Sequence, residues 1–239
     1  MSAPDPLAPL REAPGESALV FDVDGVLAPI VARPELAAVP PETRAELERL
    51  ASAYLLVACV SGRAGAEAAR IVGVEGVRFV GNHGLELVAD PHRLQREIAR
   101  FRDEIGLPVE DKGFSLSYHF REAADERAAR TALDAVAAQA LEAGLVPRWG
   151  RKVLEIRPAV DADKGTAVRA LLEGSGARLG LYAGDDTTDL DAFAGLAAAG
   201  LDYFVRVAVV SDEGPPELAA AADLVLGDSH EVPTLLASL

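Results

Sequence analysis

Short runs of almost unbroken apolar residues alternate with stretches of helical periodicity. This pattern constrains the fold more than any other feature of the chain. The runs are Ala18–Phe21, Leu55–Val60, Val77–Val80, Leu179–Ala183, Tyr203–Val210 and Asp223–Leu226. Helices are expected between them at 41–50, 64–72, 164–172 and 189–196; the first opens on Pro41 and carries Leu47 and Leu50 at helical spacing. A strand that is apolar on both faces must be covered on both faces. The pattern therefore predicts an α/β fold, a Rossmann-like doubly wound parallel sheet.

The middle of the chain follows a different rule. Leu94, Ile98, Phe101 and Ile105 form a stripe on an otherwise charged helix. Residues 114–121 alternate: Phe114, Leu116, Tyr118 and Phe120 share one face, and Ser115, Ser117, His119 and Arg121 the other. An Ala-rich helix at 123–143 and strands near 145–149 and 152–157 follow. A strand with one polar face belongs to an open sheet with helices on one side only. We therefore expect a smaller α+β domain at 88–160, inserted into a core of 18–87 plus 161–239, with 1–17 as a flexible N-terminal tail.

Composition narrows the partners. The chain has 239 residues, with 23 Lys and Arg against 38 Asp and Glu, a net charge of −15. Half the residues are apolar, enough for a sizeable core. Such acidity argues against nucleic acid and anionic membranes, though not against a small anion in a local cleft. The 1–17 segment lacks the apolar core of a signal peptide, and no run reaches membrane-spanning length. The single cysteine, Cys59, lies inside an apolar strand and cannot form an internal disulfide. A cytoplasmic monomer is expected.

The residues that could carry chemistry stand where the apolar strands end. Asp22-Val-Asp24-Gly follows the first strand, and Gly184-Asp185-Asp186-Thr-Thr-Asp189 follows a later one. In an open parallel sheet, ligands bind beyond the carboxyl ends of the strands. Carboxylates converging there repel unless a cation lies among them, and Mg²⁺ prefers such hard oxygen ligands. Turn formation could equally explain Asp and Gly after Phe21. For Thr187 and Thr188 a helix-capping role is preferred, and metal binding for Asp185 and Asp186. Ser61-Gly62-Arg63 ends the second strand and would suit an anion, or merely cap the next helix. Lys164 opens a helix, an unfavourable place for a cation unless it has a separate task such as neutralising phosphate.

These four elements, in this order, resemble the haloacid dehalogenase-like phosphohydrolases of the large-cap type, from about residue 18 to the end. A finer resemblance is to the trehalose-6-phosphate phosphatase family. It is carried by residues 24–30, Ser61-Gly-Arg63, Asn82-His-Gly-Leu-Glu86, Lys112-Gly-Phe-Ser-Leu-Ser-Tyr-His-Phe-Arg121, residues 150–158 and residues 184–193. Val23 and Val26 depart from the residues usual in that family.

The resemblance implies an Mg²⁺-dependent phosphatase acting on a small phosphosugar, trehalose 6-phosphate, through an aspartyl-phosphate. It implies Asp22 as nucleophile and Asp24 as general acid and base, the latter needing a raised pKa from nearby like charges. Ser61 and Lys164 would hold phosphate oxygens. Metal ligands would be Asp22, Asp24 through its backbone carbonyl, and Asp185, with Asp186 nearby; Asp189 would orient Lys164 or the loop. Substrate would meet Arg63, Asn82, His83, Glu86, Lys112, Ser115, His119, Arg121 and Glu155. Lys152 would join them only from the turn before its strand. Phosphatases of other sugar phosphates, and a silent sugar-phosphate sensor on the same fold, are the alternatives.

Overall fold

The computed structural model describes residues 5–31, 33–121, 123–150, 152–210 and 214–239. The chain forms two compact units, Met1–Gly84 with Ala162–Leu239, and Leu85–Asp161. The crossings expected at 87–88 and 160–161 thus fall at 84–85 and 161–162.

The first unit begins with α1 (Ala8–Glu12) and β1 (Ser17–Phe21), followed by α2 (Pro41–Ala53), β2 (Leu56–Val60), α3 (Gly65–Val72) and β3 (Arg78–Val80). The second holds α4 (Pro91–Ile105), β4 (Glu110–Asp111), β5 (Leu116–His119), α5 (Glu126–Glu142), β6 (Leu145–Gly150) and β7 (Val153–Pro158). The chain then completes the first unit with α6 (Lys164–Ser175), β8 (Leu179–Gly184), α7 (Thr188–Ala198), β9 (Tyr203–Val209), α8 (Pro216–Ala221), β10 (Leu224–Leu226) and α9 (Val232–Ala237).

The sheet of the first unit has the order β10-β9-β8-β1-β2-β3, and every pairing is parallel. Its strands are apolar on both faces, as a doubly wound sheet requires. Leu19, Phe21, Val57, Cys59, Leu181 and Ala183 pack in the cluster that includes Leu47, Leu50 and Leu235. Ala18, Val20, Ala58, Val60 and Tyr182 pack on the other side with Val168, Leu171, Phe193 and Leu218. The strand sequence proceeds outward from β1 in one direction through β2, and resumes from β8 in the other. The switch point lies between β1 and β8, and crevices open beyond the carboxyl ends of strands at such points.

Of the segment expected as a tail, the described residues 5–17 are instead part of this unit. Leu7 and Leu10 are buried with the core residues, Arg11 donates to the Ser238 carbonyl, and Ser17 belongs to β1. Two apolar side chains at helical spacing suffice to fasten a short helix to a sheet, and the Pro and Ala composition hid them.

The second unit carries an antiparallel sheet of order β4-β5-β7-β6. Leu116, Tyr118 and Phe120 pack with Ile98 and Phe101 of α4 and Leu133 and Val136 of α5. Trp149 joins them, edge-on to Phe120 and beneath the Arg130 guanidinium. Among the described residues, no helix is long and apolar enough to cross a membrane.

Candidate active site

Three devices bring the strand-end residues of the first unit together. The first is the turn after β1. The Asp22 amide donates to the Ala183 carbonyl of β8, and Gly25 and Ala28 close the loop by donating to Ala28 and Val23 carbonyls. Gly25 has φ +81°, and a Cβ there would lie 2.0 Å from Asp185 Oδ2. Glycine is therefore needed both for the turn and for the approach of the second acidic segment. The second device is the contact of α6 with α7. A Cβ on Gly195 would meet the Gly165 carbonyl at 2.1 Å, so the two helices touch backbone to backbone. That closeness sets Lys164, at the start of α6, against Asp189 in the first turn of α7. The third is the cap of α6: Asp163 and Thr166 satisfy each other's amides, leaving Lys164 free to point inward.

The result is a buried charged centre. Lys164 Nζ donates to Asp22 Oδ2 at 2.6 Å and to Asp189 Oδ1 at 2.8 Å, and Asp186 Oδ1 stands 3.9 Å away. The Lys164 side chain is 1% exposed. Burial works against its charge, but Asp22, Asp189 and Asp186 together hold it protonated, with its pKa raised. Burial drives the Asp22 carboxyl well above the ordinary carboxylate range, despite the attraction of Lys164. Asp185 is pushed up to about 7, first by burial and then by Asp189 and Asp186.

Oxygens of Asp22, Asp185 and Asp189 lie within 4.8 Å of one another. Buried carboxylates crowded this closely, two of them forced upward in pKa, form a hard-oxygen donor set short of positive charge, and a divalent cation fits it. Asp189, however, is already saturated. Its Oδ1 accepts from Lys164 and the Tyr182 hydroxyl, and its Oδ2 from the Asp185 and Asp186 amides. It orients its neighbours, which leaves Asp22 and Asp185 as the carboxylates available to a cation. Asp185 also opens onto a cleft of about 450 Å³ bordered by Ile30, Ser229 and His230.

Two expectations are corrected here. Asp186 is not in the acidic triad: its side chain is 53% exposed and turns to the start of α7, accepting from the Thr188 amide and hydroxyl. Burial opposes its ionisation, but Lys164 and the two Thr188 bonds leave its pKa lowered. The capping role expected of Thr187 and Thr188 thus belongs to Asp186, because Thr187 already has helical backbone angles and makes no side-chain cap bond. Asp24 stands near enough to Asp185 to add to the charge that raises it, but its own carboxylate is paired with a cation. Arg63 grips it with a fork, Nε to Oδ2 at 2.6 Å and Nη2 to Oδ1 at 2.8 Å, and donates from Nη1 to Glu67 at 2.6 Å.

Ser61 is buried at the end of β2 and accepts from the Arg63 amide at 3.2 Å. It does not cap α3, whose N-cap is Ala64. Asn82 and His83 follow β3, both with left-handed backbone angles, and the His83 ring lies against Gly62. Glu86 falls in the second unit.

On the second unit's sheet, the polar face gathers several of the expected residues. Ser115 donates to Glu155 Oε1 at 2.9 Å, and Ser117 lies directly across from Glu155 in the β5–β7 pairing. Ser115 and Ser117 are buried, whereas the His119 side chain is 58% exposed and pairs with Glu110. Lys112 also approaches Glu110, at 3.9 Å. Arg121 is exposed beyond the end of β5. Lys152 occupies the turn before β7 with φ +61° and pairs with Glu126. Arg148, unremarked in the sequence, stands across β6–β7 from Glu155.

Tyr182, which the sequence pattern places merely as an apolar strand residue, donates its hydroxyl to Asp189 Oδ1 at 2.7 Å. A tyrosine inside a fully buried strand needs a partner for its hydroxyl, and that signal was available.

The profile of the trehalose-phosphatase family matches residues 20–101 and 93–219. The chain is 39% identical over 198 residues to a protein of Mycolicibacterium paratuberculosis named trehalose-phosphate phosphatase, covering 74% of this chain and 50% of that one. It is 32% identical over 265 residues to a Mycobacterium bovis protein of the same name, covering 96% and 67%. The chain thus spans half to two thirds of the length of these curated relatives. The C-terminal domain of Candida albicans trehalose-6-phosphate phosphatase superposes with a TM-score of 0.66 at 22% identity, covering 98% of this chain and 95% of that one, a likeness of fold. With the profile running from β1 to α8, and with identity above 30% across nearly its whole length to the M. bovis protein, the chain belongs to the trehalose-phosphatase family.

Proposed function

We propose that this protein is an Mg²⁺-dependent phosphatase that hydrolyses trehalose 6-phosphate to trehalose and phosphate through an aspartyl-phosphate. The observation that supports it best is the buried convergence of Asp22, Lys164 and Asp185 at the switch point of the parallel sheet, in a member of this family.

Asp22 attacks phosphorus; the new bond joins its carboxylate oxygen to phosphorus, and the bond from phosphorus to the sugar oxygen breaks. Asp24 gives a proton to the departing oxygen. It then takes one from the water that attacks phosphorus and releases Asp22 and phosphate. Lys164 and Ser61 hold the phosphoryl oxygens. Asp22, Asp185 and the Asp24 carbonyl would hold Mg²⁺, which, when bound, screens the repulsion between an anionic nucleophile and an anionic phosphoryl group. Asp189, assisted by Tyr182, keeps Lys164 and the 185–186 amides in place.

The sugar is recognised by the polar face of the second unit's sheet, through Glu155, Ser115, His119 and Arg121, with Lys112 and Lys152 at its margins. A carboxylate that accepts from sugar hydroxyls discriminates strongly, because a poorer ligand leaves it unpaired.

The direct test is phosphate release from a panel of sugar phosphates with Mg²⁺. Trehalose 6-phosphate should be cleaved with the highest kcat/KM; preference for sucrose phosphate, glucosylglycerol phosphate or mannosyl-3-phosphoglycerate would reassign the substrate, and no turnover would leave a sensor. In the same assay, Glu155→Ala should lower kcat/KM on trehalose 6-phosphate by about 10–100-fold, the worth of a hydrogen bond to a charged group. A simple aryl phosphate should be cleaved as before. Equal losses on both substrates would make Glu155 structural.

The raised Asp185 makes a prediction about pH. Its carboxyl titrates at about 7 in the folded protein, against about 4 in an unfolded chain. The native state therefore holds the extra proton between these values. The contribution of Asp185 to stability without metal falls as pH rises from about 4 to about 7, and that loss is complete above this range. A cation competes with the same proton. Millimolar Mg²⁺ should therefore raise Tm clearly at about pH 8 and little at about pH 5, as scanning calorimetry would show. Equal shifts at the two pH values would remove Asp185 from the metal site.

A further inference from the structure

We propose that Arg63, braced by Glu67, is the positioning residue of Asp24, so that the chain Glu67–Arg63–Asp24 sets the proton-transfer step. This rests on the reading of Asp24 as the general acid.

Both Asp24 oxygens accept from one guanidinium, at 2.6 and 2.8 Å. A two-point fork fixes the plane of a carboxyl group as well as its position, which a single bond or a lysine cannot do. The third arm reaches Glu67, one turn further along the chain at i+4. Arg63 is held at its backbone too: its carbonyl accepts from Asn82 at 2.8 Å, and its amide donates to Ser61. A Cβ on Gly81 would lie 2.1 Å from the Gly65 nitrogen, so the chain after β3 is seated directly on this segment. The guanidinium is thus carried by fixed backbone, with its side chain only 12% exposed, whereas Asp24 is 32% exposed and stands on a turn. Arg63 governs Asp24, and Glu67 governs how far Arg63 can turn.

Each Asp24 oxygen accepts one guanidinium bond, so placing the acid proton on one of them costs one arm of the fork. In the protonated enzyme one oxygen has quit the fork to carry the proton, which it delivers to the departing sugar oxygen while the other oxygen keeps the carboxyl aligned. The proton is returned by the attacking water in the second step, which closes the balance.

The test uses the leaving group. An aryl oxide departs without a proton and a sugar alkoxide does not, and kcat/KM reports the steps through that departure. It would be measured for the parent, Glu67→Gln, Asp24→Asn and the double variant on trehalose 6-phosphate and p-nitrophenyl phosphate. Glu67→Gln should lose about tenfold on the sugar phosphate and less than about twofold on the aryl phosphate, a part of the full general-acid effect. In the Asp24→Asn background it should add nothing on either substrate. An equal loss on both substrates, or an undiminished loss without Asp24, overturns the positioning role. An Asp24→Asn enzyme impaired equally on both substrates overturns the general-acid reading itself, and the proposal with it.

Discussion

Asp22→Asn is expected to lower kcat by at least about 10⁴-fold on trehalose 6-phosphate and on an aryl phosphate alike, the scale seen when a nucleophile is removed. The loss should be independent of leaving group, because the amide cannot form the bond to phosphorus at all. That separates it from Asp24→Asn, whose loss should deepen with poorer leaving groups. The protein should stay folded. Burial raises the Asp22 pKa, so its carboxylate is costly in the native state, and an asparagine of the same shape removes that cost. Lys164 keeps Asp189 at 2.8 Å. Thermal unfolding should move by no more than a few degrees, a change of about 1 kcal/mol or less for a chain of this size. Retained turnover in a phosphate-release assay would sink the nucleophile assignment.

Lys164→Met should have the largest structural effect. It removes the cation shared by Asp22, Asp189 and Asp186 and leaves two buried carboxylates facing one another. Breaking a buried pair by deleting one partner costs about 3–5 kcal/mol, because the surviving charge has neither water nor counterion. The cost should shrink as pH falls and the carboxylates take up protons, and saturating Mg²⁺ should restore part of it by supplying another cation. Urea unfolding at two pH values, with and without Mg²⁺, measures both. A variant as stable as the parent at neutral pH would mean that the cluster does not depend on Lys164.

The core sheet was legible because its strands are short and apolar on both faces, and a chain can satisfy that in few ways. The strand-end positions of Asp22, Ser61 and Asp185 follow from the same reading, since a residue directly after a buried strand emerges at the sheet's edge. The alternation of residues 114–121 likewise separates Leu116 and Tyr118 from Ser115 and Ser117 by sequence position alone. Local signals failed where two roles share one residue type. Asp186 and Asp189 stand three residues apart around the start of α7; Asp186 could cap or bind metal, and Asp189 could orient Lys164 or the loop. Which one turns outward depends on the contact of α6 with α7, which brings Lys164 and the Tyr182 hydroxyl within hydrogen-bond distance of Asp189, while Asp186 stays 3.9 Å from Lys164.

Periodicity and motif order, then, point to the architecture and to the carboxylates proposed to carry the chemistry, because alternation and strand ends are local properties of a chain. Partnership is not local. Lys164 meets Asp22 across 142 residues, and Arg63 meets Asp24 across 39. Only the folded chain decides that Asp24, beside the acidic cluster, is gripped by Arg63, since the field at a half-buried carboxyl depends on what packing brings to within a few ångströms of it.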